Sequence, residues 1–368
     1  MKVLVMGSLV CMAFNLAARA EPVREVTASA VSIAAIQEAV NALGGAGRVR
    51  IPAGEGEAIG TLTIPGGIDL VGAGVGRTRL FRAGKTPAKS SEPVIRIDGK
   101  NGLPTQVSGL ELRGFQDPKN TAWDTGLVLI GVRDFRVHHC RFERFGMAAV
   151  SARGVSRGVV DHCEFTDNYK RSIANVGYGV VVYGPGRWRE TFEPGSADAV
   201  FIEDCVFRGQ RHAVASNNGA HYVFRHNHII GNDNSQAVDA HGPGYGSKCG
   251  TQWVEVYDNV IEKPLAGVSA MMLRGGGGVV FRNTIRNYFT GIVLTLDFDG
   301  RLDWTRPYPI PEQVRDMWVW DNSLNGKKTP PGVPPRSAGH IQAGRDFFTK
   351  AKPGYTPYAY PHPLTRPE

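Results

Sequence analysis

Past residue 20 the sequence has no apolar run near the roughly 20 residues a helix needs to cross a bilayer, so no later segment reads as a membrane span. None of its five cysteines forms a Cys-x-x-Cys pair, which removes the usual signature of a tetrahedral metal site. No block of like charge stands out either. The net charge of +8 comes from 42 basic and 34 acidic residues spread along the chain. That mild excess suits an anionic partner and gives no pointer to nucleic acid.

What is present starts with a processing signal. Met1-Lys2, the apolar residues 3–16 and Ala18-Arg19-Ala20 form a charged n-region, an h-region too short to span a membrane, and a small-x-small cleavage site. A signal peptide over 1–20 and a periplasmic or secreted mature protein are expected. Its removal takes away Lys2, Arg19 and Cys11, lowering the net charge from +8 to +6. Cys140, Cys163, Cys205 and Cys249 then sit in a compartment that permits disulfides.

The mature chain opens with Ser32 followed by Ile33, Ile36, Val40 and Leu43 at helical spacing, and Gly44-Gly45 ends that helix. Short stretches such as 48–51, 62–65 and 68–72 then read as strands punctuated by glycine and proline. From about residue 107 one phrase recurs: alternating apolar positions, then Cys or Asn, then an apolar residue two places on. Its Cys/Asn members are Cys140, Cys163, Cys205, Asn227, Asn259, Asn283 and Asn322, separated by 23, 42, 22, 32, 24 and 39 residues. The period is near 23, with three insertions. A coil of three short strands consumes about that many residues, and coils stack about 4.8 Å apart, so equivalent side chains form ladders. The expected fold is all-β, a right-handed parallel β-helix (a solenoid) whose N-terminal helix caps the open sheet end. Ladder cysteines then fill the interior at a bend, which accounts for His138-His139-Cys140 and His162-Cys163 without a metal. No cofactor and no cross-link between them are expected. The solenoid is assigned to 21–324, and the Pro- and aromatic-rich residues 325–368 to a tail packed on its wall.

Each coil also holds an earlier strand, with copies at 149–154, 179–184, 213–218 and 237–242. With Val150, Val180, Val214 and Val238 inward, alternation turns Arg153, Tyr183, Asn217 and His241 outward on successive coils, with Asp239 beside His241. Arg274 has two placements. Aligned from Gly267, Met271 takes the outward position; aligned on Gly275, Arg274 does; a bulge decides between them. The insertions 185–197, 243–251 and 298–315 all leave just after this strand. They carry Arg187, Trp188, Arg189, Tyr245, Lys248, Arg301, Trp304, Arg306 and Tyr308, groups that stack on sugar rings and pair with carboxylates or sulfates. Long loops on one edge of a compact scaffold point to a groove; an ordinary solvated face is the other reading. Arg211, His212 and His221 lie near turns, bordering that groove or simply wet.

The helix-to-strand opening over 32–72 and the Cys/Asn ladder over 140–322 resemble the pectate-lyase-like superfamily of right-handed parallel β-helix proteins. The resemblance covers most of the mature chain and implies architecture, since the superfamily holds uronan lyases, mannuronate epimerases, pectin hydrolases, tailspikes and noncatalytic surface proteins. Two of its site patterns are missing. The Asn-Thr-Asp, Asp-Asp and Gly-His-Gly set of galacturonan hydrolases is absent, and Asp239 stands without a carboxylate partner in its column, which speaks against two-carboxylate hydrolysis. The acidic cluster of calcium-dependent pectate lyases is absent too, so no calcium site is expected.

What remains fits proton abstraction beside a uronate carboxylate, the step shared by β-elimination and C5-epimerisation. On that reading Asn217 with Arg153 or Arg274 binds the carboxylate, His241 oriented by Asp239 is the base and Tyr183 the acid, or the reverse, and Lys248 is a second candidate base. Arg187, Trp188, Tyr245 and Trp304 would contact an acidic polysaccharide or oligosaccharide. A monomeric lyase or epimerase is expected; the alternatives are a noncatalytic glycan-binding or surface protein and a glycoside hydrolase.

Overall fold

The computed structural model describes residues 23–82, 92–115, 123–169, 176–231, 236–244, 247–297 and 307–366. The signal-peptide residues, Tyr245, Arg301, Trp304 and Arg306 lie outside them. Helix Ile33–Leu43 begins at Ser32, which is extended and accepts a hydrogen bond from the Ala35 N–H, and ends at Gly44, whose φ of 64° lets its own N–H reach Asn41 O. Ile33, Ile36, Val40 and Leu43 are buried against the first coils, so the expected cap on a parallel solenoid is present. No helix among the described residues is long and apolar enough to cross a membrane.

One coil shows the plan. Gly158–Asp161 lies on the first face, Glu164–Thr166 on the second and Tyr178–Tyr183 on the third. Val200–Glu203 then returns to the first face, parallel to Gly158–Asp161. Among the described residues the first-face strands form a 12-stranded sheet, and the other two faces merge in an 18-stranded one. They merge because Val260–Leu273 and Thr284–Leu294 run unbroken through the corner between them.

The corner between the first and second faces is the Cys/Asn ladder. The residue before each member (His139, His162, Asp204, His226, Asp258, Arg282, Asp321) has φ between 50° and 57°. That left-handed turn swings the next side chain inward. Asn227 Nδ2 donates to Ile202 O, and Asn259 Oδ1 accepts the Asn227 N–H; the second link repeats from Asn259 to Asn283 and from Asn283 to Asn322. Each amide thus satisfies backbone groups of its neighbours at a bend that has no sheet partner to do so. Cys140, Cys163 and Cys205 take the equivalent places as buried free thiols, and Cys249 is free as well. Phe142, Phe165 and Phe207 stack in the interior at 5.4 and 4.5 Å.

The outer surface of the first face is apolar through Val159, Phe201, Val223, Trp253, Tyr257 and Phe281, and Phe348, Tyr355, Tyr358 and Leu364 pack onto it. The tail therefore runs back along the stack. Phe348 stacks on Trp318, Tyr355 donates to Glu255, Tyr360 to Asp204, and the His362 N–H to Glu203. Arg225, fully buried, joins wall to tail: it pairs with Glu203 at 2.6 Å and donates to the Tyr358 and Ala359 carbonyls.

Candidate functional site

Register along the third face sets the outward column. Arg153 pairs with Tyr183 and Tyr183 with Asn217. Ser216 pairs with Ala240, so His241 follows level with Asn217. The strand Val260–Leu273 shifts register between Glu262 and Gly267, and beyond the shift Met271 pairs with Val238 and Leu273 with Ala240. This bulge resolves the two placements: Met271 is fully buried inside, and Arg274 is level with His241.

At that point five polar side chains of the described residues converge. Arg274 Nη2 lies 2.6 Å from Asp239 Oδ2, and its Nη1 3.3 Å from Asp297 Oδ1. His241 Nε2 lies 3.0 Å from Asp239 Oδ2, and Nδ1 3.6 Å from Asp297 Oδ2. His212, the fifth, has Nε2 3.3 Å from Asp239 Oδ2. Asp239 therefore has a carboxylate neighbour across His241, although its own column holds none, as expected. Asp297 arrives from the connection after Thr284–Leu294, two coils on, and not from Asp239's own column. Gly242 makes room for it. A Cβ there would fall 2.5 Å from Arg274 O and 3.1 Å from Asp297 Cβ, and its N–H donates to Asp297 Oδ2. The expectation that Arg274 binds a substrate carboxylate is revised as well, because its buried guanidinium is spanned between the two aspartates.

Burial alone would lift the Asp239 carboxyl, but Arg274 and then His241 outweigh it and hold it well below the usual range. For His241, burial favours the neutral ring; Asp239 together with Asp297 overcomes burial and Arg274, so its pKa rises. Arg274 Nη2, 2.6 Å from His241 Nε2, can only donate and meets the lone pair of the neutral ring. Asp239 Oδ2 beside the same nitrogen accepts its N–H when the ring is charged. The imidazole has a partner in both protonation states, as proton transfer requires. Its side chain is 15% exposed, at the edge of an open depression of about 180 Å³ bordered by Tyr178, Tyr183, Ala215, Asn217, Asn218 and Ser247.

His212 was read from sequence as bordering the groove or wet. It is fully buried beneath it, and the pairing of Tyr178 with His212 is the signal that places it there. Its Nδ1 is 2.6 Å from Gln236 O and so carries the proton. Burial holds its pKa down at about 3 despite Asp239. A neutral His212, stacked on Tyr178 at 5.7 Å, closes the back of the site. His221 lies elsewhere, on the first face against Glu255 and Arg189.

The remaining predicted residues spread outward. Burial raises the Tyr183 phenol, with Arg153 opposing, and the Arg153 guanidinium lies 5.7 Å from the Tyr183 ring. Lys248 is exposed; its N–H donates to Asn218 Oδ1, and its side chain lies along Gly186, not against His241. Arg187 is exposed, and the Trp188 indole donates to Gly250 O. The first insertion then crosses the corner onto the first face, where Phe192 meets His221 and Trp253, the Gly195 N–H donates to Glu255, and Arg189 pairs with Asp198. Tyr308 donates to Asp346 beneath Arg345. Tyr245 and Trp304 lie outside the described residues.

A family model described as right handed beta helix region matches residues 95–295, more than half of the chain. Among curated protein sequences none matches. Solved structures of similar fold include the tailspike protein of E. coli bacteriophage HK620 in complex with pentasaccharide, at 14% identity over 86% of this chain and 55% of that one, TM-score 0.50. A variant of that tailspike, also in complex with pentasaccharide, gives 14%, 84%, 55% and 0.51. The catalytic unit of a thermostable GH87 alpha-1,3-glucanase from Streptomyces thermodiastaticus gives 14%, 90%, 69% and 0.48. The chain spans just over half the length of the tailspikes, and the likeness is one of fold.

Proposed function

From the premise that the chain belongs to the right-handed β-helix family, we propose that it is an exported carbohydrate-active enzyme that binds an oligosaccharide across its third face and acts on it with His241 as the proton-transferring group. One observation carries this reading: an imidazole held between Asp239 and Asp297, with Arg274 across both, at the edge of a depression walled by Tyr178, Tyr183 and Asn217. That tailspikes of this fold carry a pentasaccharide supports a glycan as the ligand.

Hydrolysis is the first reading of the reaction, because Asp297 supplies the second carboxylate whose absence had spoken against it. The charged His241 would protonate the leaving oxygen, and one carboxylate would activate water. Elimination or C5-epimerisation at a uronate is the second, favoured by the depth of Asp239 and Asp297, 1% and 0% exposed. A sugar entering the depression meets Tyr183, Asn217 and His241 before either aspartate. Wild type and His241→Gln are compared on neutral, uronate-containing and sulfated glycans. New reducing ends without an unsaturated chromophore support hydrolysis, the chromophore supports elimination, and C5 proton exchange without cleavage supports epimerisation. Binding with none of these makes the protein a noncatalytic glycan binder, and no binding rejects the proposal.

A further inference from the structure

We propose that Glu255, on the first face, is a positioning residue: it grips the tip of the first insertion and, through that insertion, fixes the rim of the depression beside His241. The inference rests on the reading of that depression as the sugar-binding site, and adds what holds it in shape.

Among the described residues four donors converge on this fully buried carboxylate. Oε1 accepts the Gly195 N–H of the insertion at 2.8 Å, His221 Nε2–H at 3.3 Å and the Trp253 indole N–H at 3.2 Å; Oε2 accepts the Tyr355 hydroxyl of the tail at 2.6 Å. The His221 tautomer is set from its other side, where Arg189 Nη2 lies 3.1 Å from Nδ1 and can only donate. Burial alone would raise the Glu255 carboxyl, but His221, then Tyr355 and Gly195, outweigh it and lower its pKa. The tip fits closely: Gly195 has a φ of 74°, and a Cβ on it would collide with Thr356 O of the tail.

The insertion carries this grip back to the depression. Arg189 pairs with Asp198, which ties the two ends of the insertion together, and its backbone exchanges hydrogen bonds with the Gln252 side chain at 2.9 and 2.8 Å. The Trp188 indole donates to Gly250 O at 3.0 Å, and the Gly186 N–H to Asn218 O at 2.9 Å. Residues 247–251 are the rim that these bonds reach. Ser247 borders the depression, the Lys248 N–H donates to Asn218 Oδ1, Thr251 Oγ1 lies 2.9 Å from Ser216 Oγ, and the Thr251 N–H donates to His241 O at 2.7 Å. The imidazole of His241 has its own holders, Asp239, Asp297 and Arg274. Loss of the grip therefore blurs the sugar seat without disarming the proton-transferring group.

Glu255→Gln removes the charge at constant shape, Gly195→Ala unseats the tip, and Tyr355→Phe deletes only the tail's donor. Amide exchange measured without glycan should speed up about tenfold at Gly186, Lys248 and Thr251 in the first two variants and about threefold in the third. On a glycan that the parent turns over, KM should rise about tenfold in the first two while kcat stays within about twofold; for a parent that binds without turnover, Kd should rise as KM would. Tyr360→Phe, which loosens the tail at Asp204 instead of Glu255, should leave both readouts at the parent's values. Unchanged rim exchange in Glu255→Gln and Gly195→Ala would overturn the proposal. So would kcat falling at constant KM, the mark of a merely structural residue whose loss shrinks the active fraction. Faster rim exchange with unchanged affinity would overturn the reading of the depression as the sugar seat. A parent that binds no glycan sinks the glycan reading, and the exchange data alone then decide whether Glu255 holds the rim. Gly195→Ala decides the matter if Glu255→Gln fails to fold.

Discussion

Asp239→Asn removes one charge and almost no volume from the centre of the site. Among the described residues of the parent site, Asp239 and Asp297 face the Arg274 guanidinium and the His241 ring, whose charged form they favour. After the substitution, Arg274 facing Asp297 is already balanced, and Arg274 Nη2 is met by the lone pair of a neutral His241. The charged form of the ring loses its nearest counter-charge. An opposite charge this close favours the imidazolium, so the His241 pKa should fall when Asp239 is neutralised. NMR titration of the imidazole C2–H measures this directly, and the matching limb of the pH–rate profile should move down in step. Stability follows by linkage. His241, with a raised folded-state pKa, adds stability below its unfolded value that is lost as pH rises through the folded one. Asp239, depressed, adds stability above its unfolded value that is lost as pH falls through the folded one. The variant forfeits both, by about 3–5 kcal/mol near neutral to mildly acidic pH, and the gap narrows once acid protonates Asp239 in the parent. An unchanged His241 titration would refute the assignment of Asp239 as the group that sets the charge of the ring.

Four further outcomes are expected. His241→Gln should cut turnover by about 10²–10⁴-fold on whichever glycan proves active, and it should also lower the melting temperature, because it leaves the buried Asp239 and Asp297 without their imidazole partner. Asn259→Ala strips the bonds to the Asn227 N–H and to the Phe224 and Tyr257 carbonyls. It should lower unfolding free energy in urea by about 2–4 kcal/mol. Arg225→Met leaves Glu203 buried without its cation and should cost about 3–5 kcal/mol, with faster proteolysis of the tail around residues 350–360. Burial pushes the Cys140 and Cys163 thiols up, so thiol reagents should leave them untouched in the native protein and label them after denaturation.

Repetition made the fold legible. The spacing from Cys140 to Asn322 sets the coil length, and alternation from Val150, Val180, Val214 and Val238 sets the outward column. Arg274 was ambiguous because a bulge between Glu262 and Gly267 changes parity without changing composition. Asp297 was missed because it follows the end of a strand, where a period of two no longer tells which way a side chain faces. His212 was within reach, since its pairing with Tyr178 follows from the same alignment, but a residue at a strand's first position looks like a turn. The return of 185–197 onto the first face was not legible, because Phe192 and Gly195 carry no period to say which wall they meet.

A stack of coils behaves like a zip: each layer touches only the two beside it, so the last layers can open while the middle holds. The segment that runs back from Phe348 to His362 changes that connectivity. It ties the layer of Trp318 to those of Glu255, Arg225 and Glu203, two, three and four layers back, none of which the Trp318 layer touches directly across the stack. Opening the last layer means peeling this belt, and peeling the belt strips cover from every layer it crosses. The C-terminal half of the solenoid should therefore melt as one block, and its slowest-exchanging amides should lie under the belt rather than at the geometric middle of the stack.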